Sequence, residues 1–405
     1  MNIGIVSNIN PSDLRDYLYD NQTIPDTKIM ASSVQALVTG FIELGHNVIV
    51  FSPASAKCTQ GKKVLVLDGQ KLRIYMVRVL PKIDYLIRHL YLPQAISSCI
   101  RKELAGLDVL HSHWTYECSA ATVCFSDKKP TFCSVRDWWP VQNEYFLKSN
   151  YHQRILWGKT KRNMFIKTMR DSRITFVANS EYTKEQILGL YPNYTVPIIP
   201  NPIKEKYIAK EKEYRFNNVF VSISNSLFEK RKNISVLIEA FHKYYVKHED
   251  ARLILIGDYS IEDEKYKDWQ SKGLLEGIDF YGILPHTKVL EKIDEASVMI
   301  HPSLEETFGN ILLEGMARKL LVVGGDKSGA VPSVLGHGKY GLLCNVYSSH
   351  DVLKVMESIN EKEDHYAPIV SASESYLLNN LTEKAVAQRH IELYTPFLSV
   401  KQKKN

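Results

Sequence analysis

The stretch from Ser297 to Met316 constrains this chain most. Ser297-Val-Met-Ile300 is a short apolar run of the kind that forms a buried strand, and HPSLEETFGNILLEGM follows it directly from His301. Ile311, Leu312 and Met316 then recur at helical spacing, so a helix packs its apolar face back against the strand. A strand leading through a polar loop into a helix is the repeating unit of a doubly wound parallel sheet. Thr307 reads as the N-cap of this helix. The N–H groups of Phe308, Gly309 and Asn310 then lack intrahelical partners and form an anion site at the positive end of the helix dipole. Gly309 lets a ligand approach the backbone closely.

Two carboxylates frame that site. Glu306 precedes the cap and Glu314 lies two turns in, about 10 Å further along the axis at 1.5 Å per residue. That span is comparable to a diphosphate with a sugar at one end and a ribose at the other. Carboxylates accept hydrogen bonds from paired hydroxyls, which suits Glu314 to a ribose and Glu306 to the sugar end. An acidic helix start that only complements the dipole accounts for the same residues.

Glu306-Thr-Phe-Gly followed by Glu314-Gly-Met-Ala resembles the Glu-x7-Glu motif of the retaining glycosyltransferases known as glycosyl transferases group 1. The resemblance implies an α/β chain of the GT-B fold, with two Rossmann-like doubly wound domains facing a cleft. It places an acceptor domain at 1–203, a nucleotide-sugar donor domain at 204–380, and a C-terminal helix in 381–405 that crosses back to the first domain.

Size and composition agree with two domains. A chain of 405 residues is long for one core, and 44% hydrophobic with 24% charged residues is ordinary for a globular protein. No apolar run reaches the ~18 residues of a membrane span, and the N-terminus reads as a first strand without a leader. Six cysteines without a C-x-x-C pair fit reduced thiols in a cytoplasmic protein better than disulfides or a zinc site. The charge is uneven: residues 1–200 hold 24 Lys/Arg against 16 Asp/Glu, so the first half is the part suited to an anionic partner. Its cations concentrate in 57–102 and 154–184, among aromatic and aliphatic residues. The first stretch reads equally as an edge hairpin and a surface helix.

Along the chain, strand Ile3–Ser7, a helix over about 29–44 and strand Asn47–Ser52 open a doubly wound sheet without a G-x-G-x-x-G, which disfavours a dinucleotide oxidoreductase. Asp108–Glu117 reads as a strand with polar residues at its carboxyl end, where such sheets bind ligands. His111 and His113 are taken to project to opposite faces, which argues against a metal pair. His113, beside Trp114, is a candidate for facing a ligand or for lining the wall. Thr131–Pro140 is the next strand and exit loop. Group 1 relatives place a donor-sugar histidine there, but this chain has Arg136-Asp137, so Arg136 either holds a phosphate or pairs with Asp137.

In the second half, strand Val219–Ser224 leads into Asn225-Ser-Leu-Phe-Glu-Lys-Arg-Lys-Asn233. The resemblance assigns diphosphate contacts to this loop: Lys232 matches the family lysine, Lys230 or Arg231 takes over from the family arginine, and Asn225 borders the donor. Gly282-Ile-Leu-Pro-His-Thr resembles the loop beside the nucleotide base. The implied reaction moves a hexose from a nucleotide diphosphate sugar to a hydroxyl of a glycan or lipid-linked glycan, as in surface polysaccharide synthesis. Glu306, Lys232 and His113 are its catalytic candidates. No cofactor or metal is expected, because the chain has no Asp-x-Asp and fixed cations can stabilise the leaving group. The expected location is cytoplasmic, with peripheral contact to an anionic membrane and no nucleic acid. A sugar-nucleotide epimerase and a non-catalytic sugar-nucleotide or glycan-binding module are the alternatives.

Overall fold

The computed structural model describes residues 1–27, 32–80, 84–141, 143, 152–362 and 365–399. It divides into two compact units, Met1–Pro202 with the chain from Glu383 onward, and Ile203–Thr382.

The first unit is built on seven strands: β1 (Asn2–Val6), β2 (Asn47–Ala54), β3 (Val64–Asp68), β4 (Leu72–Arg78), β5 (Val109–His113), β6 (Thr131–Val135) and β7 (Ile174–Ala178). Their order is β3-β4-β2-β1-β5-β6-β7. All neighbours run parallel except β3, which pairs antiparallel with β4 at the edge. Both faces are buried: Ile3 and Ile5 join one core cluster, while Val6 and Phe51 join another with Leu92, Ile96 and Phe125. Burial on both faces explains why these strands read as nearly continuous apolar runs. Residues 57–102 supply the edge hairpin β3-β4 and the helix Asp84–Glu103. Lys82, one of the cations in that stretch, lies outside the described residues.

The helix Ser32–Glu43 is buried at ten of its twelve positions because it lies between the sheet and the C-terminal helix Glu383–Ser399. Gly40 makes that approach possible, since a Cβ there would meet the Glu383 carbonyl oxygen at 2.2 Å. The C-terminal helix also brings Tyr394, whose hydroxyl hydrogen-bonds His111 Nδ1, and His111 Nε2 lies 2.8 Å from Ser134 Oγ. His111 and His113 share one face of β5, as residues two apart on a strand must. Their rings stack at 4.6 Å with 18° between planes, which corrects the expectation of opposite faces.

The second unit has six strands: β8 (Val219–Ser226), β9 (Arg252–Asp258), β10 (Ile278–Tyr281), β11 (Val298–His301), β12 (Leu321–Gly325) and β13 (Leu342–Cys344). All are parallel in the order β10-β9-β8-β11-β12-β13, the 3-2-1-4-5-6 pattern of a Rossmann sheet. The amphipathic helix Ile234–Tyr245 buries Leu237, Ile238, Phe241 and Tyr244 against this sheet. Strand order reverses between β8 and β11, so the loops leaving their carboxyl ends meet there.

The buried imidazoles of the first unit make stability depend on pH. Burial first, then the charge of Arg136, lowers His390 to about 3, and burial with neighbouring cationic groups pushes His111 well below the ordinary imidazole value. The unfolded chain therefore takes up protons near the usual value of about 6.5 while the folded chain does not. Stability should be full above that value and fall as pH drops from about 7 to 5, by at most about 1.4 kcal/mol per pH unit for each such histidine. Urea titrations across that range should show the loss, and His390→Phe should flatten the slope. An unchanged slope in the variant would remove His390 as a cause.

Candidate active site

The site of the second unit is assembled by the loops after β8 and β11. After β8 the chain makes a tight turn, Lys230–Lys232, and Asn233 adopts a left-handed conformation (φ 56°) before the helix Ile234–Tyr245. Asn233 tolerates that conformation better than most residues, and its Nδ2–H donates to the Val346 carbonyl at 2.7 Å. The turn is tied to the other loop through the backbone: Leu304 N–H donates to the Arg231 carbonyl at 2.8 Å. Arg231 Nη1 in turn donates to the Glu305 carbonyl at 2.9 Å.

These ties bring three basic groups to one carboxylate. Lys232 Nζ donates to Glu306 Oε1 at 2.6 Å, His301 Nε2 lies 3.2 Å from the same oxygen, and Arg231 Nη1 lies 3.7 Å from it. Lys232 and Glu306 are mostly buried, with side chains 11% and 14% exposed. Burial alone would raise the Glu306 carboxyl, but the hydrogen bond from His301 and the charges of Lys232 and Arg231 outweigh it. Glu306 is held well below the usual carboxylate range and is ionised at neutral pH. Arg231 is also fastened by Glu229 and by the Glu305 carbonyl, whereas Lys232 makes the shorter contact with Glu306.

The helix after β11 begins later than the sequence suggests. Gly309, not Thr307, is the N-cap, at φ 82° and ψ 62°, and the helix runs Asn310–Ala317. Glycine is required there, because a side chain at that φ is strained and a Cβ would also crowd Leu312 Cδ1 at 3.0 Å. Phe308 is buried, so its side chain is part of the core. Thr307, Gly309 and Asn310 remain at the helix start beside Glu306, whose carbonyl accepts from Ala330 N–H at 2.9 Å. Lys230 and Asn225 stand exposed at the same end of β8.

Glu314 forms a second centre on that helix. His286 Nε2 lies 3.2 Å from Glu314 Oε1, and the His286 ring packs on Tyr207 with centroids 4.5 Å apart. His286 and His301 are site residues that the sequence reading did not single out. His301 ends a buried strand at the switch point, and that position was the available signal. His286 opens the helix after β10, inside the loop that the family resemblance would set beside the nucleotide base.

The remaining candidates lie in the first unit, at the carboxyl ends of β5 and β6. His113 and Arg136 are both buried and directly bonded to each other, with Arg136 Nε 2.9 Å from His113 Nδ1. Arg136 further donates to Ser33 Oγ and Asn201 Oδ1, at 2.9 and 2.5 Å. Its guanidinium is thus engaged inside the unit, and burial lowers it to about 9.

Comparison with known proteins agrees with this architecture. Residues 204–375 match the family of glycosyl transferases group 1, and residues 30–207 match Glycosyltransferase Family 4. An uncharacterized glycosyltransferase of Methanocaldococcus jannaschii is 25% identical over 262 residues, which are 64% of this chain and 68% of that protein. The solved sucrose-phosphate synthase of Thermosynechococcus elongatus superposes with a TM-score of 0.76 at 14% identity, over 99% of this chain and 100% of its own. The Anabaena protein HepE, solved in complex with UDP-glucose, gives 0.66 at 14% identity, over 98% and 100%. These structural likenesses establish the GT-B fold. The two matches follow each other along the chain, so residues 204–375 form a glycosyl transferases group 1 region and residues 30–207 a Glycosyltransferase Family 4 region.

Proposed function

We propose that this chain is a retaining hexosyltransferase that moves a sugar from a nucleotide diphosphate to a hydroxyl, without a metal ion. The observation that carries the reading is the convergence of Lys232, Arg231 and Glu306 at the strand-order reversal of the second unit, beside the helix start at Gly309. Open α/β sheets bind ligands at that place, and fixed cations with a helix N-terminus suit a diphosphate. HepE binds UDP-glucose in its solved complex, which supports a nucleotide sugar as the donor here.

The chemistry follows from the charges. As the bond between sugar and diphosphate breaks, negative charge grows on the leaving phosphate. A preorganised cation stabilises that charge more than the ground state, which is what accelerates the step. Lys232 is that cation. It is paired with Glu306, so the phosphate must displace Glu306 as the donor enters, and the released carboxylate then faces the sugar. Glu314 and His286 take the ribose end. The acceptor is a glycan or lipid-linked glycan hydroxyl in surface polysaccharide synthesis, chosen by the basic first unit. There the helix His152–Met169 contains no acidic residue, and Lys159, Arg162 and Lys167 are exposed along it. Among the described residues, no helix is long and apolar enough to cross a membrane, so contact with an anionic bilayer would be peripheral. Acceptor-dependent consumption of donor separates a transferase from an epimerase or a binding module.

Glu314→Ala should weaken nucleoside diphosphate binding by about 1.5–3 kcal/mol, the range for a lost charged hydrogen bond. Glu306→Gln frees Lys232 from a competing anion and should tighten that binding by about 1 kcal/mol while slowing turnover. Calorimetry with the nucleoside diphosphate tests both, and weaker binding by Glu306→Gln would contradict the displacement step.

Lys232→Ala should lower turnover more than it alters the acceptor KM, and transfer by the parent protein should persist in EDTA. Loss of transfer in EDTA that Mg²⁺ or Mn²⁺ restores would rule out metal independence.

Co-sedimentation should find the protein on vesicles containing anionic lipid, with binding that falls as salt rises. Changing Lys159, Arg162 and Lys167 together to Gln should reduce it. Binding that ignores both salt and these changes would remove the membrane from the reading.

A further inference from the structure

The bond between Arg136 and His113 has only one possible direction. A guanidinium carries five N–H donors and no acceptor. Arg136 Nε–H therefore donates, and His113 Nδ1, 2.9 Å away, accepts. A neutral imidazole that accepts on Nδ1 carries its proton on Nε2. The guanidinium cannot easily turn away, because Nη1 is anchored on Ser33 Oγ at the start of the helix Ser32–Glu43 and on Asn201 Oδ1. The ring is equally restrained: His111 stacks on it, and Trp114 meets it edge-on with centroids 6.4 Å apart.

The other nitrogen is left over. His113 Nε2 is shielded from water and has no hydrogen-bond partner among the described residues. A buried donor without a partner costs about 1–3 kcal/mol, so it calls for a reason beyond packing. It sits at the carboxyl end of β5, which pairs with β1 where the strand order of the first unit reverses.

We propose that Arg136 is a positioning residue that fixes His113 as an Nε2–H donor, and that this donor serves a hydroxyl oxygen of a sugar substrate. The identity of the ligand rests on the glycosyl-transfer reading; the tautomer does not. Burial, with Arg136, His111 and His390 close by, holds the ring neutral. A single neutral donor suits one hydroxyl oxygen, whereas a phosphate favours charged and bidentate partners. The same tautomer excludes His113 Nε2 as a general base, because that nitrogen has no lone pair to receive a proton. Its role is to hold and orient an oxygen.

Nitrogen-15 spectra of histidine-labelled protein at neutral pH read the tautomer directly, with His113→Gln identifying the signals. The parent protein should show Nδ1 bare and Nε2 protonated. Arg136→Lys, which still only donates, should keep that pattern, and Arg136→Met should give a mixture of tautomers. The opposite tautomer in the parent protein would overturn the proposal whether or not the chain transfers sugar. In transfer assays Arg136→Met should lower kcat/KM on the order of 10- to 100-fold, the usual effect of losing a supporting partner, with nucleoside diphosphate affinity unchanged. His113→Gln, which keeps a donor near the Nε2 position, should retain more turnover than His113→Leu. A rise in donor KM for acceptor-free hydrolysis in His113→Leu assigns the oxygen to the donor sugar, and a rise confined to the acceptor KM assigns it to the acceptor. Wild-type transfer by His113→Leu would overturn the donor role. A parent protein that transfers no sugar would instead sink the glycosyl-transfer reading, with the tautomer still read from the spectra.

Discussion

The pair between Lys232 Nζ and Glu306 Oε1, 2.6 Å long and mostly shielded from water, sets the terms for the second unit. Two charges removed from water repay their desolvation only when their geometry is good and other donors complete it. Here the completion comes from His301 at the end of β11 and from Arg231, whose carbonyl and guanidinium also fasten one loop to the other. The loop after β8 and the loop after β11 thus share one electrostatic unit. Taking away one member would leave a buried charge unmatched.

Much of the frame around that pair was readable from the chain. The parallel strands are buried on both faces and so stand out as apolar runs, and the helix Ile234–Tyr245 has a clear apolar stripe. Elements that depend on contacts distant in sequence were less readable. Thr307 has the chemistry of an N-cap, yet the helix starts at Gly309, because Glu306 is held by the Gly329–Ala330 segment and the chain must turn through a left-handed residue to enter the helix. Local propensity has no access to that tie. The shared face of His111 and His113 needs no distant contact: alternation along a strand puts residues two apart together, and the stacked rings follow from it.

The candidate site divides in the same manner. Glu306, Lys232 and Glu314 come from motifs with fixed spacing, and the first two meet as a bonded pair. His301 and His286 carry no spacing signal, and only the sheet order brings one to Glu306 and the other to Glu314. Arg136 shows the limit most clearly. From sequence it pairs with Asp137 or meets a phosphate, because an arginine in an exit loop is ordinarily exposed. Its buried bonds to Ser33, His113 and Asn201 join segments spread over more than half of the first unit's length.

The two units place cations at strand ends for opposite purposes. In the second, Lys232 and Arg231, with His301 beside them, converge on the single carboxylate of Glu306. In the first, the charge of Arg136 is surrounded by His111, His113 and His390, and each of these rings is pushed toward its neutral form by burial and by that same charge. A cation among imidazoles makes them uncharged hydrogen-bonding groups, because further protonation would place like charges together in a low dielectric. Groups of that kind discriminate by the position of a single lone pair and do not attract charge over distance.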